Sequence, residues 1–118
     1  MIDRAFADEL AREWIAAWNS HDLERILAHY DDAFSMSSPL IVERGFDPSG
    51  TLHGKEKVRP YWRAGLDATP ALSFTLETVF VGPSSIAILY TNQVGRRTVE
   101  VLILDDARRV IAGIAHYA

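Results

Sequence analysis

Apolar residues recur every three or four positions in the first part of the chain. Over residues 3–19 they form one stripe, made of Phe6, Leu10, Trp14 and Trp18 with Ala7, Ala11 and Ile15 beside them. This spacing is typical of an amphipathic α-helix, and Asp3 is placed to cap its start. A second helix is predicted after Ser20 or Asp22, with an apolar stripe made of Leu23, Ile26, Leu27 and Tyr30.

The pattern then changes to a short strand and a long segment without clear periodicity. Residues 33–38 alternate weakly, which predicts a strand with Phe34, Met36 and Ser38 on one face. The segment 39–53 contains several glycines and prolines and is too long for a hairpin turn. We expect a loop here, of the kind that often covers a binding site.

The second half of the chain predicts one helix followed by a run of strands. The helix extends from Gly54 to about Leu66, and Pro60 predicts a late start or a kink in it. Segments rich in β-branched and aromatic residues follow at 72–81, 85–94, 97–104 and 109–117. Short turns separate them, which favours an antiparallel meander. Helices first and strands afterwards predict an α+β fold with the helices on one face of the sheet.

Length and composition narrow the class of protein further. The chain has 118 residues, 48% hydrophobic and 24% charged, which fits one globular domain over residues 1–118. No apolar run is long enough to cross a bilayer, and the charged N-terminus does not resemble a signal peptide. The chain has no cysteine, so no disulfide or thiolate site is available and we expect a cytoplasmic location. Binding of nucleic acid needs a clustered basic surface, whereas this chain has a net charge of −4 and scattered basic residues, so we do not expect it to bind nucleic acid.

Several short motifs give the chain a family resemblance. They are Asn19-Ser20-His21-Asp22, Tyr30-Asp31-Asp32-Ala33, Ser38-Pro39, His53-Gly54-Lys55-Glu56, Tyr61-Trp62-Arg63-Ala64-Gly65-Leu66, the hairpin strand Glu100-Val101-Leu102-Ile103-Leu104-Asp105-Asp106 and Ala115-His116-Tyr117. With this order of elements, the chain resembles the nuclear transport factor 2-like superfamily, in its SnoaL-like and ketosteroid isomerase branch. The resemblance implies a cone-shaped, curved antiparallel sheet wrapped around the N-terminal helices, the cystatin-like α+β barrel. It does not name a reaction, because this fold hosts isomerases, cyclases, dehydratases, epoxide hydrolases and non-enzymatic binders.

The catalytic pattern of ketosteroid isomerases is only partly kept. In the family register, the carboxylate base is replaced by Ser38, which cannot take a proton from carbon at neutral pH. The catalytic tyrosine is replaced by Trp14, whose indole N–H can donate with a different reach. The acid is kept in kind as Glu100. Steroid isomerisation itself is therefore not expected.

The same register implies an aromatic chamber between sheet and helices. Its inward residues would be Met36, Ser38, Ile88, Tyr90, Asn92, Glu100, Leu102, Ala115 and Tyr117, joined by Trp14, Trp18, Tyr30 and Trp62. Few of these side chains are polar, so the chamber suits a small, largely apolar molecule with one or two oxygens. We expect no cofactor.

Glu100 is the candidate acid–base, although the strand pattern leaves its direction open. Facing inward, it would have a pKa raised by desolvation and could donate to a ligand carbonyl. Facing outward, it would leave Val99, Val101 and Ile103 as the core face. Both faces are apolar, so periodicity does not choose between them.

The remaining titratable residues fit surface roles better. His116 is the second candidate acid–base, but the register turns it away from the chamber, toward the surface or a dimer interface. No histidines stand at metal-ligand spacing, so no metal site is predicted. The Asp31-Asp32 pair fits a turn better than a base. In the long loop, Glu43, Arg44 and Asp47 fit solvated charge, with a polar pocket mouth as the alternative.

Two functions remain open at this point. The first is a cofactor-independent isomerase, cyclase or dehydratase acting on a small hydrophobic carbonyl compound. An epoxide hydrolase of this fold needs an Asp–Arg–Asp arrangement, and no inward arginine is predicted. The second is a non-catalytic ligand-binding or dimerisation module. Apolar residues on both faces of the last two strands favour a homodimer through the outer sheet face.

Overall fold

The N-terminal helices begin where the sequence supplies caps. The computed structural model describes residues 1–118, and in it helix α1 spans Arg4–Ser20 and helix α2 spans Leu23–Leu27. Asp3 caps α1, and the Asp22 carboxylate caps α2 by accepting two backbone N–H groups. Tyr30 was expected on the second helix, but α2 ends before it. The Tyr30 backbone instead pairs with a strand from the other end of the chain.

Six strands form one curved sheet that packs against these helices. Their bounds are β1 Tyr30–Ser37, β2 Thr51–His53, β3 Thr75–Val81, β4 Ser85–Thr91, β5 Arg97–Leu104 and β6 Val110–Tyr117. Their order across the sheet is β2-β1-β6-β5-β4-β3. Strands β3 to β6 form the predicted antiparallel meander. Strand β1 pairs in parallel with β6, so the sheet is mixed rather than wholly antiparallel.

The segment 39–53, expected as a loop, contains regular structure. Helix α3 spans Pro39–Glu43, and β2 at its far end pairs antiparallel with β1. The Ser38 hydroxyl accepts from the Leu40 N–H at 3.2 Å and caps α3, while Pro39 occupies the first turn, where its missing N–H costs nothing. The segment is therefore ordered at both ends.

Helix α4 spans Lys55–Ala68 and packs against α2, β1 and β2. It continues through Pro60, which removes one backbone hydrogen bond, and it begins at Lys55 rather than late. Its buried residues Val58, Tyr61, Trp62 and Leu66 follow the helical period. The predicted helix is thus present and extends two residues beyond Leu66.

Alternation along the strands separates an inner face from an outer one. On β5 the residues Thr98, Glu100, Leu102 and Leu104 are buried against the helices. The intervening Val99, Val101 and Ile103 are half-buried on the outer face. The inner face of the sheet packs against the helices, and the space that remains is lined largely by aromatic rings. No helix is long and apolar enough to span a membrane.

Candidate functional site

A cavity of about 140 Å³ lies between the inner face of the sheet and the helices. This is close to the volume, about 150 Å³, of an engineered apolar cavity that holds benzene. Its lining is mostly apolar and aromatic and consists of Trp14, Trp18, Met36, Leu40, Arg44, Tyr61, Trp62, Gly65, Thr69, Leu72, Phe74, Tyr90, Asn92, Gln93, Thr98, Glu100, Ala115 and Tyr117. The lining residues Arg44 and Gln93 are exposed, so they mark the mouth of the cavity.

Stacked and tilted rings form the wall of this cavity. Phe74 lies 4.4 Å from Tyr90 and 5.9 Å from Trp14, measured between ring centroids. Trp18 meets Trp62 edge-on at 5.1 Å. Rings packed in this way are rigid and present both faces and edges, which suits a flat apolar ligand. The Trp18 indole nitrogen is buried without a hydrogen-bond partner.

Glu100 lies in the middle of the inner face and on the cavity wall. Its neighbours across the sheet are Ile88 on β4 and Ala115 on β6. The side chain is 4% exposed, and it makes no hydrogen bond or ion pair within the protein. One oxygen of its carboxyl group, Oε2, lies 3.5 Å from where a Cβ on Gly113 would stand. The small residues on β6 therefore leave the space that the carboxyl group occupies.

Burial changes the chemistry of this carboxyl group. Desolvation raises the pKa of Glu100 to about 8, because no cation or donor compensates its charge. At pH 7 the group is therefore mostly protonated and can donate a hydrogen bond. A pKa near the working pH also suits a general acid–base, since both protonation states are populated.

The tyrosines around the cavity stay protonated at neutral pH. Burial, with a smaller contribution from repulsion by an ionised Glu100, raises the pKa of Tyr117 to about 12. Burial likewise raises the pKa of Tyr61 and of Tyr90 above the ordinary value. These side chains can therefore act as donors or acceptors in the wall but not as bases.

Trp14 uses its N–H within the protein. The indole nitrogen donates to the Tyr30 hydroxyl oxygen at 2.9 Å, in the buried centre of the molecule. The family resemblance gave this position a donor role toward a ligand. The indole N–H is already bonded to Tyr30 and is not available to a ligand, so the Trp14 ring contributes to the cavity as an apolar wall.

Apart from Ser38, the predicted chamber residues divide into two groups. Those that line the cavity are Trp14, Trp18, Met36, Trp62, Tyr90, Asn92, Glu100, Ala115 and Tyr117. Tyr30, Ile88 and Leu102 face inward but lie in the packed core, where neighbouring side chains fill the space around them. For Tyr30, Phe34 at 4.4 Å and Trp62 at 5.2 Å occupy that space.

Two further candidates lie apart from the cavity. Ser38 is buried, but its hydroxyl caps α3 and is not part of the cavity wall. His116 is exposed on the outer face, opposite Val99 on β5. Neither residue is therefore brought to Glu100.

The acidic residues after α2 form ion pairs at the surface. Asp31 pairs with Arg109 at 3.2 Å, and Asp32 pairs with Lys55 at 3.3 Å. Both lie within β1 rather than in a turn. No group of three or more His, Asp or Glu side chains could hold a metal ion.

Arg44 lies at the cavity mouth, which was the alternative interpretation for the charged residues of the long segment. The cavity residues outside the predicted chamber also include Leu40, Tyr61, Gly65, Thr69, Leu72, Phe74, Gln93 and Thr98. Arg44 ends α3, and the next turn is a Schellman motif: the Gly45 N–H donates to the Val42 carbonyl and the Phe46 N–H to the Ile41 carbonyl, each at 3.0 Å. Gly45 supplies the left-handed conformation, with a φ of 74°. A Gly following a short apolar run after a Ser-Pro start was the available signal for this helix end.

Comparison with known proteins agrees with this geometry. Residues 11–117 match the SnoaL-like domain family. A SnoaL-like protein of unknown function from Burkholderia thailandensis E264 is 49% identical, with 99% of this chain and 98% of that chain covered and a TM-score of 0.95. The chain belongs to the SnoaL-like family. No protein with a curated function matches its sequence significantly.

More distant solved structures share the fold. SalBIII, an epoxide hydrolase/cyclase-like enzyme of pyran ring formation in the polyether salinomycin, is 16% identical, with 100% of this chain and 95% of that chain covered and a TM-score of 0.75. A candidate isomerase of the SnoaL-like family from Agrobacterium tumefaciens C58 is also 16% identical, with 97% and 98% covered and a TM-score of 0.76. At this identity the similarity concerns the fold alone.

Proposed function

We propose that the chain binds a small, largely apolar carbonyl compound in this cavity and isomerises it without a cofactor, with Glu100 as the acid–base. The observation that carries the proposal is an unpartnered carboxyl group, 4% exposed, on the wall of an aromatic cavity. Burying such a group without a partner costs stability, and groups of this kind concentrate at functional sites.

The cavity size restricts the ligand. About 140 Å³ accommodates roughly one ring with a short side chain and is too small for a fused four-ring skeleton. This agrees with the altered Ser38 and Trp14 positions, which already disfavour steroid isomerisation. The proposed substrate is therefore a compact ketone or a similar enolisable carbonyl compound.

The cavity wall offers one acid–base group, which limits the classes of reaction that the site can support. No histidine and no second carboxylate lines the cavity. In a ketone with a β,γ double bond, ionised Glu100 would take a proton from the α carbon and the C–H electron pair would be shared over the resulting dienolate. The carboxyl group would then return the proton to the γ carbon, so that the double bond moves into conjugation with the carbonyl. Such an isomerisation needs no net proton, oxidant or second catalytic group. Epoxide opening by an Asp–Arg–Asp arrangement is disfavoured, because no aspartate lines the cavity and its arginine lies at the mouth.

The experiment is deuterium exchange of enolisable ketones in D₂O, followed by NMR, with acetophenone and phenylacetone as probes. We expect wild type to accelerate exchange at least tenfold over buffer, with a rate that rises toward pH 8 and then levels. Glu100→Gln should return the rate to within about twofold of buffer. Glu9→Gln, at an exposed position of α1, is the matched control and should behave as wild type.

Thermal shifts with the same ketones separate binding from catalysis. A ligand present at a hundred times its dissociation constant adds about 2.7 kcal/mol, which is easily seen in a domain of this size. Stabilisation without accelerated exchange would favour the alternative, a non-catalytic binding module. The observation that favours a non-catalytic binding module is that no second catalytic group lies on the cavity wall. If the ketones neither stabilise the protein nor exchange faster than in buffer, the proposed ligand class is overturned.

The outer face of the sheet supports a second part of the proposal, a homodimer through this face. Its central positions are apolar and half-buried in the single chain: Leu89, Val99, Val101, Ile103, Ala112 and Ile114. A two-sided apolar sheet needs cover on both sides, and a second copy supplies the same surface by two-fold symmetry. Sedimentation equilibrium at micromolar concentration tests this, and a monomer there would overturn it.

A further inference from the structure

Arg44 is held at the mouth of the cavity without an acidic partner. No Asp or Glu oxygen lies within 4.0 Å of its guanidinium nitrogens. Five other arginines form ion pairs and four others do not, but Arg44 is the one arginine that lines the cavity. Its electrostatic influence reaches the hydroxyl groups of Tyr61 and Tyr117, where it opposes the rise in their pKa. The cation therefore acts on the cavity rather than on a surface carboxylate.

Local structure fixes the position of this arginine. The Arg44 N–H donates to the Leu40 carbonyl at 2.9 Å, and the Schellman turn after it fixes the chain direction. Phe46 in that turn packs edge-on against Tyr61 at 5.3 Å, so the end of α3 is anchored to α4. Leu40 on the same short helix also lines the cavity. A side chain whose backbone is anchored loses less freedom when it binds a ligand than one on a mobile loop.

A glycine on α4 makes the space for the guanidinium group. A Cβ at Gly65 would stand 2.9 Å from Arg44 Nη1, closer than real contacts allow. Gly65 lies within a helix, where glycine is less favourable than alanine. The guanidinium group therefore lies beside Gly65, and a methyl group at this position would require the end of the Arg44 side chain to shift.

We propose that the cavity takes a two-ended ligand: an aryl or similarly compact ketone that carries a carboxylate, with the ketone oxygen at Glu100 and the carboxylate at Arg44. This inference rests on the proposed function for the Glu100 end and adds the charge at the mouth. The planar guanidinium fork matches a carboxylate in a bidentate manner. Protonated Glu100 does not repel such an anion, and the aromatic wall between the two ends accepts the ring.

The test compares 4-acetylbenzoate with its uncharged counterpart 4-acetylbenzamide. Three tryptophans line the cavity, so quenching of intrinsic fluorescence reports binding of either compound. We expect wild type to bind the carboxylate about two- to fivefold more tightly than the amide, as one partly exposed ion pair allows. The preference should weaken as salt concentration rises.

Variants locate the source of this preference. Arg44→Gln should reduce the preference to about one while leaving the affinity for the amide unchanged. Arg63→Gln is the matched control, since Arg63 is exposed on α4, makes no ion pair and does not line the cavity. A preference that persists in Arg44→Gln would overturn the inference.

Gly65→Ala gives an independent check. The added methyl group should displace Arg44 and lower the carboxylate preference, yet raise the melting temperature by a few degrees through better helix propensity. An equal loss for both compounds would mean that the methyl group only fills the cavity, and would count against the inference. Wild type that binds the amide and the carboxylate equally also overturns it, while the proposed ketone site stands. If neither compound binds and the neutral ketones still do, only the two-ended ligand falls.

Discussion

The Trp14 indole N–H donates to the Tyr30 hydroxyl oxygen at 2.9 Å, and both residues are at most 3% exposed. This bond joins α1 to the first residue of β1, directly behind the cavity wall. It also leaves the hydroxyl hydrogen of Tyr30 free, with the Tyr30 ring and the Glu100 carboxyl group both close to Gly113. Removing either partner would leave a buried polar atom unpaired.

We expect Tyr30→Phe to destabilise the protein by about 1–2 kcal/mol, because the Trp14 N–H would then be buried without an acceptor. Trp14→Phe should cost more, since it also removes ring volume from the core. In the double variant the two losses should be smaller than additive by about 1 kcal/mol. Urea unfolding of the four proteins measures this, and strict additivity would mean that the bond contributes nothing.

Glu100 should make the protein less stable as the pH rises. Its pKa is raised to about 8 in the folded state, against about 4.5 when exposed, so its neutral form is favoured by folding. The associated stability is complete below about pH 4.5 and is lost progressively as the pH rises toward 8, by up to about 4 kcal/mol. Relative to Glu100→Gln, wild type should therefore lose stability between pH 5 and pH 8. Urea unfolding of both proteins at a series of pH values measures this loss. A difference in unfolding free energy that does not change with pH would place Glu100 in a hydrated setting.

Ser38 should prove structural. Ser38→Ala removes the cap of α3, which we expect to cost about 1 kcal/mol. It should leave ketone binding at Glu100 within about twofold, because Ser38 is not on the cavity wall. Ser35→Ala, at a half-buried position of β1 without a side-chain hydrogen bond, is the control. A loss of exchange activity larger than the loss of folded protein would return Ser38 to the list of catalytic candidates.

Val101 lies at the centre of the outer sheet face, opposite Ile114 on β6. Val101→Glu should convert a dimer into a monomer, because it places an unpaired charge in an apolar interface. Ala107→Glu, in the exposed turn after β5, should leave the association unchanged. Sedimentation velocity distinguishes the two. A Val101→Glu variant that sediments as wild type would exclude this face as the interface.

Patterns of local spacing predicted the helices and the meander well, because both follow from contacts between near neighbours. They did not decide which way Glu100 faces. Val99, Val101 and Ile103 form as good an apolar row as Thr98, Leu102 and Leu104. Which row faces the core is decided only by the side of the sheet on which the helices pack. The outer row remains half-buried, which is why both patterns looked plausible.

The errors arose where distant parts of the chain meet. Tyr30 continued the helical stripe of α2, yet its backbone pairs with Val110 near the other end of the chain. The segment 39–53 looked like a loop because Gly45 and Gly50 are turn formers. The same residues terminate α3 and lead into β2, and Arg44 reaches the cavity as a result.

The parallel pairing of β1 with β6 sets the order of events during synthesis. Strand β1 leaves the ribosome well before its partner β6, which begins at Val110. Until then β1 and β2 have no sheet to join, and the apolar side chains of Phe34 and Met36 stay in water. Pairing of β1 with β6 joins residues far apart in the sequence and raises the contact order, so folding should be slow relative to that of a helical protein of this size. The cavity is consequently a late product of folding, completed when β1 and β6 pair.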